Sequence, residues 1–425
     1  MSRSGAGRCS LGFMNDLLIR SVRPWPRELG GMPVDVLIRA GHIAAIGSDV
    51  GGDVAERPDV LSIDGRGGVL LPALADVHAH LDSTRLGLPF RPHSAEPGLT
   101  GLIENDRANW RSDGDVATRA TRTLAATIAS GTTVIRSHAQ VDTDARLERL
   151  EGVLAAREAH AGRCHLQIVA FPQSGIVRDR GTAELLDAAI LAGADLIGGI
   201  DPCGLDRDPV EHLDIVFGLA ERHQVGVDIH LHESGELGAF TFELIGERTE
   251  ALGMHGMVTI SHGFALSSVG AARQGALIDM LATNDIALAT VAPGTTEPLP
   301  IAALRAAGVR VGLGQDGIRD FWSPYGNGDM LERAWQLAFR SGVRLDNLVE
   351  ACVDVASRGG RSIVHGGPWP TQSVLDDARF GLAVGAPADL LVVRADTVTA
   401  AVMDHPPRTL VVREGRVVAR DGELV

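Results

Sequence analysis

Between Gly131 and Asp316 the sequence passes six times from a short apolar run into a helix-patterned stretch. GTTVIRSH (131–138) precedes LERLEGVLAAREA (147–159), HLQIVAF (165–171) precedes TAELLDAAILAG (182–193), and VGVDIHLHE (225–233) precedes a run through Glu247. MVTISHG (257–263), DIALATVA (285–292) and VRVGLGQD (309–316) each lead into a further helical segment. Strands that alternate with helices are joined by crossovers, and crossovers make neighbouring strands parallel. At this length and repeat number the expected α/β architecture is a closed, TIM-like (β/α)8 barrel over residues 71–381.

The two ends of the chain read differently. VDVLIRAGHIAAIG (34–47) is rich in strand formers around a turn at Ala40-Gly41, and ADLLVVRAD (388–396) and TLVVREGRVVARDGELV (409–425) continue in that character, with turns at Glu414-Gly415 and Asp421-Gly422. Residues 15–70 and 382–425 are expected to form a small composite β-sandwich domain, with 1–14 as a disordered tail. A hydrophobic content of 45% supports a full-sized core. A net charge of −15 without a basic run argues against nucleic acid and anionic lipid as partners. Four scattered cysteines and no apolar run of bilayer length fit a cytoplasmic protein with no membrane partner. The chain contains no lysine, so all 39 Lys-plus-Arg positions are arginines. That excludes a Schiff-base lysine, a P-loop lysine and a carbamylated-lysine bridge between metals.

Five of these apolar runs, and the earlier LPALADVHAH (71–80), end in polar residues: ADVHAH (75–80), RSH (136–138), FPQ (171–173), DIHLHE (228–233), ISH (260–262) and GQD (314–316). In a β/α barrel these strand ends converge on one mouth. His78 and His80, two apart on a strand, face the same way and can share one ion. With His230 and Asp316 they make three nitrogens and one oxygen, a set suited to one divalent ion, Zn2+ or Fe2+, with Mn2+ as a further option. His232, two residues after His230, competes with it as a ligand. Trp322 stands to line the pocket behind the last strand.

At this point the sequence resembles the amidohydrolase superfamily, and its cytosine deaminase branch, through LPALADVHAHLD (71–82), VIRSHAQVD (134–142), VAFPQSGI (169–176), VDIHLHE (227–233), ISHGFAL (260–266) and GLGQDGIRDFWSPYGNGDM (312–330). The resemblance implies one metal on His78, His80, His230 and Asp316, with Glu233 as the acid/base, His262 bonding the attacking water, and Asp316 serving in catalysis as well as ligation. It implies that Gln173 contacts the amide edge of a ring, gives His138 a counterpart near the pocket, and implies a homo-oligomer. The branch carries an acidic residue where this chain has Gly317, a change expected to remove a polar anchor and open space for a different ring.

The function expected on these grounds is hydrolytic deamination of an amino-substituted nitrogen heterocycle, cytosine-like or related, releasing ammonia. The alternatives are cleavage of another C–N bond in a triazine, pterin or creatinine-like substrate, and a non-catalytic barrel that binds or assembles.

Overall fold

In a parallel barrel both faces of every strand are covered, the inner by side chains of the opposite strands and the outer by helices, so its strands read as unbroken apolar runs. The computed structural model describes residues 16–26, 31–52, 55, 57–92, 94–294 and 296–425. The expected tail, 1–14, lies outside the described residues. Eight strands pair in chain order: β1 (Leu74–Ala79), β2 (Thr132–Gln140), β3 (His165–Phe171), β4 (Leu196–Ile200), β5 (Gly226–Leu231), β6 (Val258–His262), β7 (Ala287–Thr290) and β8 (Val311–Leu313). All seven pairings are parallel.

The ring closes by a parallel bridge between Ala79 and Asp316. The Asp316 N–H donates to the His78 carbonyl (2.7 Å), and the His80 N–H donates to the Asp316 carbonyl (3.3 Å). Gly314 permits this approach, since a Cβ there would lie 2.5 Å from the Cβ of His78.

β4 was not among the strands expected from sequence. Its core is Gly198-Gly199, weak strand formers whose smallness is a packing requirement. A Cβ on Gly198 would meet the Ala170 carbonyl at 2.7 Å, and one on Gly199 would meet His212 Nε2 at 2.9 Å.

The outer helices include three that start where an aspartate takes up a free N–H group: Asp115 accepts from Thr118, Asp208 from Glu211 and Asp329 from Leu331. They bury Leu124 and Ile128, Val216 and Phe217, and Phe242 and Ile245 against the barrel, each contributing about 1.5–3 kcal/mol.

The chain ends combine into a nine-stranded sheet. Val69–Pro72 joins its two parts, pairing parallel with Asp16–Pro24 and antiparallel with Leu390–Val393. The turns at 40–41, 414–415 and 421–422 link adjacent strands as the sequence predicts. Among the described residues no helix is long and apolar enough to cross a membrane.

Candidate active site

Period-two geometry on β1 turns His78 and His80 into the barrel together, and closure of the ring carries Asp316 to them. His80 Nε2 lies 3.3 Å from His230 Nε2 and 3.4 Å from Asp316 Oδ1, and His78 Nε2 lies 3.6 Å from the same oxygen. Ligands about 2.0–2.1 Å from a shared tetrahedral ion stand about 3.3 Å apart, so these separations fit one ion. His78 Nε2 is buried without a hydrogen-bond partner. The Asp316 side chain, 40% exposed, is the most open of the four. His262 and Asp316 both adopt positive φ (69° and 64°), a backbone conformation uncommon outside glycine and frequent at functional positions.

Burial pushes the pKa of His80 down to about 4 and those of His230 and His262 well below the usual histidine range. These rings are therefore neutral at pH 7, the form whose nitrogen lone pair can take a metal. Burial works against the charge of Asp316, but His78, His262 and His80 outweigh it and hold the carboxyl well below the ordinary range.

A relay behind His78 was missed in the sequence. His78 Nδ1 meets Ser261 Oγ at 2.9 Å, and Ser261 donates to Asp228 Oδ1 at 2.6 Å. Arg136 in turn donates to Asp228 Oδ2 (2.8 Å) and to Thr259 (2.9 Å). With Nδ1–H donated to Ser261, Nε2 of His78 is left as the acceptor facing Asp316. A signal existed: Asp228 precedes His230 by two residues on the same strand, and so shares its face.

Two residues near the ligands resolve differently. His232 Nδ1 lies 2.8 Å from Asp201 Oδ2, and its N–H donates to Asp201 Oδ1 at 2.7 Å. Burial opposes charge on this ring, yet Asp201 prevails and raises its pKa. His230, facing His80, is thus the one placed to ligate. The His232 ring lies 4.2 Å from that of His262, centroid to centroid. Glu233 turns its carboxylate toward the segment after β4: Oε1 accepts the N–H groups of Cys203 (2.8 Å) and Gly204 (2.7 Å), and Oε2 accepts from Thr241 (2.5 Å). Burial raises its pKa above the carboxylate norm.

His138 lies fully buried among the ligands, 4.3 Å from the His78 ring and 4.4 Å from the His230 ring, rather than on an open pocket wall. Phe171 stacks on His230 at 4.1 Å and closes the cluster from another side. Gln173 is buried, and its Nε2 donates to Asp106 Oδ2 at 3.1 Å. Asp106 is paired in turn with buried Arg149, which also reaches Asp82 (3.3 Å). Trp322 is half-buried on the loop after β8.

Gly317 does not leave the open space expected. The carboxylate of Asp320 bends back over it, so that a Cβ at 317 would overlap Oδ2 of Asp320 at 2.0 Å. Burial pushes the Asp320 carboxyl up to about 7.

The sequence profile of the amidohydrolase family matches residues 62–419. The N-isopropylammelide isopropylaminohydrolase of Burkholderia multivorans superposes with a TM-score of 0.87 at 41% identity, over 97% of this chain and 100% of that one. The 5-methylcytosine deaminase of Klebsiella pneumoniae, solved with 5-fluorocytosine, superposes with a TM-score of 0.77 at 26% identity, over 95% and 97% of the two chains. A pterin deaminase of Rhizobium rhizogenes is 30% identical over 415 residues, 93% of this chain and 90% of its own length. With an eight-stranded barrel and a His/Asp cluster at its mouth, the chain belongs to the amidohydrolase family, a family of metal-dependent hydrolases acting on carbon–nitrogen bonds.

Proposed function

We propose that the protein hydrolyses an exocyclic C–N bond of an amino-substituted nitrogen heterocycle, releasing ammonia or a small amine, with one divalent ion held by His78, His80, His230 and Asp316. The observation that carries this reading is the meeting of those four side chains at ligand-to-ligand distances, with His78 held in the ligating tautomer by Ser261 and Asp228. Relatives named for aminated triazine, pyrimidine and pterin substrates support the substrate class. A divalent ion in such a set supplies Lewis acidity that makes water nucleophilic near neutral pH.

The chain's own residues do the rest. His262, neutral and with both ring nitrogens free of protein hydrogen bonds, accepts a hydrogen bond from the attacking water. Water adds its oxygen to the ring carbon, its protons pass to the ring and leaving nitrogens, the C–N bond breaks, and a ring carbonyl remains. Glu233, with its raised pKa, carries the proton to the leaving nitrogen. His232 is the second group fit for that transfer, because Asp201 orients its ring beside His262. Gln173, with Nε2 engaged by Asp106, presents its carbonyl oxygen and remaining N–H to the amide edge of the ring.

Metal-analysed protein incubated with amino- and alkylamino-substituted triazines, pyrimidines, pterins and purines, and with creatinine, should release ammonia or amine from at least one ring. Glu233→Gln should lose about a hundredfold or more of that activity. If Glu233→Gln stays active while His232→Asn does not, the proton transfer belongs to His232. Silence across the panel with one metal per chain would move the activity to another C–N bond, and silence without metal would leave a binding barrel.

A further inference from the structure

Position 317 follows Asp316 directly, so a side chain there would stand beside the proposed ligand set. Glycine removes that side chain, and the chain fills the place from three residues downstream. Oδ2 of Asp320 occupies the position where a β-carbon of residue 317 would begin. Among the described residues its side-chain partner is Ser83, which donates at 3.2 Å and follows His80 by three residues. Oδ1 accepts the N–H groups of Trp322 (2.8 Å) and Ser323 (2.9 Å). One oxygen thus anchors the bend, while the other retains a lone pair beyond its single neutral donor. Asp320 also lines a small pocket together with Arg85, Arg91, Asn105 and Pro324. Arg85 and Arg91 both pair with Asp113 rather than with Asp320.

We propose that Asp320 is the carboxylate that accepts a hydrogen bond from an N–H of the substrate heterocycle or of its amino substituent, reaching it through the space vacated at Gly317. This rests on the functional reading above, and it makes Gly317 and Asp320 a coupled pair: the glycine is required so that the downstream carboxylate can reach the ring. It also names the substrate feature recognised, a ring edge that presents N–H rather than oxygen beside Asp316.

Two variants of the metal-loaded full chain test it, assayed on whichever heterocycle the wild type turns over. Asp320→Asn keeps an oxygen for the Trp322 and Ser323 N–H groups but puts an amide NH2 where the substrate N–H must bind. Gly317→Ala leaves Asp320 intact and displaces its carboxylate. Both should lose about ten- to a hundredfold in kcat/KM, mainly through KM, with metal content and Tm retained. Asp320→Asn within twofold of wild type overturns the proposal, and so does a loss of activity that tracks loss of metal or of folding. Should the wild type itself act on no heterocycle, the functional reading fails first and this proposal with it.

Discussion

The Ser261 hydroxyl stands between the His78 ring and Asp228. Removing that hydroxyl leaves a buried Nδ1–H and a buried carboxylate oxygen without each other. Ser261→Ala is therefore expected to weaken zinc binding about 10- to 100-fold, read by competition against a chromogenic chelator, with the chain still folded; an unchanged affinity would show that the relay does not orient His78. At this scale the meeting of His78 and His80 was legible because it is tied to strand geometry: two residues apart on β1 means one face. Asp320 was not legible, because its carboxylate reaches Gly317 through a bend fixed by the N–H groups of Trp322 and Ser323, and no residue spacing encodes that bend. The placement of His138 was left open by the sequence for a related reason. A strand-end histidine can face the mouth or the barrel interior, and the packing around His78 and His230 decides it.

Among the strands, β4 escaped sequence reading because strand propensity records how well a side chain fills a half-buried surface, and here the surface is already full. Gly198→Ala would drive a methyl group against the Ala170 carbonyl, a backbone atom that cannot rotate away. It should cost about 1–3 kcal/mol or more, seen as a lower Tm. Gly218, inside the helix Pro209–His223, has nothing within 4 Å of its missing Cβ, and Gly218→Ala should leave Tm unchanged or raise it, by up to about 1 kcal/mol of helix propensity. Equal responses at the two positions would mean that β4 tolerates a side chain. The helices were the more legible elements, since their patterning is local in sequence, whereas the demand on Gly198 comes from β3.

At the scale of the molecule, the alternation of strand and helix was enough to indicate a parallel barrel, but not how it closes or how the end segments join. Those depend on contacts between the first and last strands, Ala79 with Asp316, and on Val69–Pro72 lying between two remote pieces of chain. Three of the four ligand residues lie at or beside that closing bridge, so chelating the metal should loosen the ring there before elsewhere. Stripped protein is expected to melt lower by an amount set by metal affinity, about 4 kcal/mol for an ion at a thousand times its Kd. Hydrogen exchange should rise first at the amides of His80 and Asp316, and uniform exchange along all eight strands would contradict this. The bridge also imposes an order in time. His78 and His80 leave the ribosome early and Asp316 late, so a nascent chain cannot complete the four-ligand set until its last barrel strand has been made. On the proposed ligand set, metal capture follows closure of the barrel while the end strands from Leu390 onward are still to be made, so the ion would seal the barrel rather than seed it.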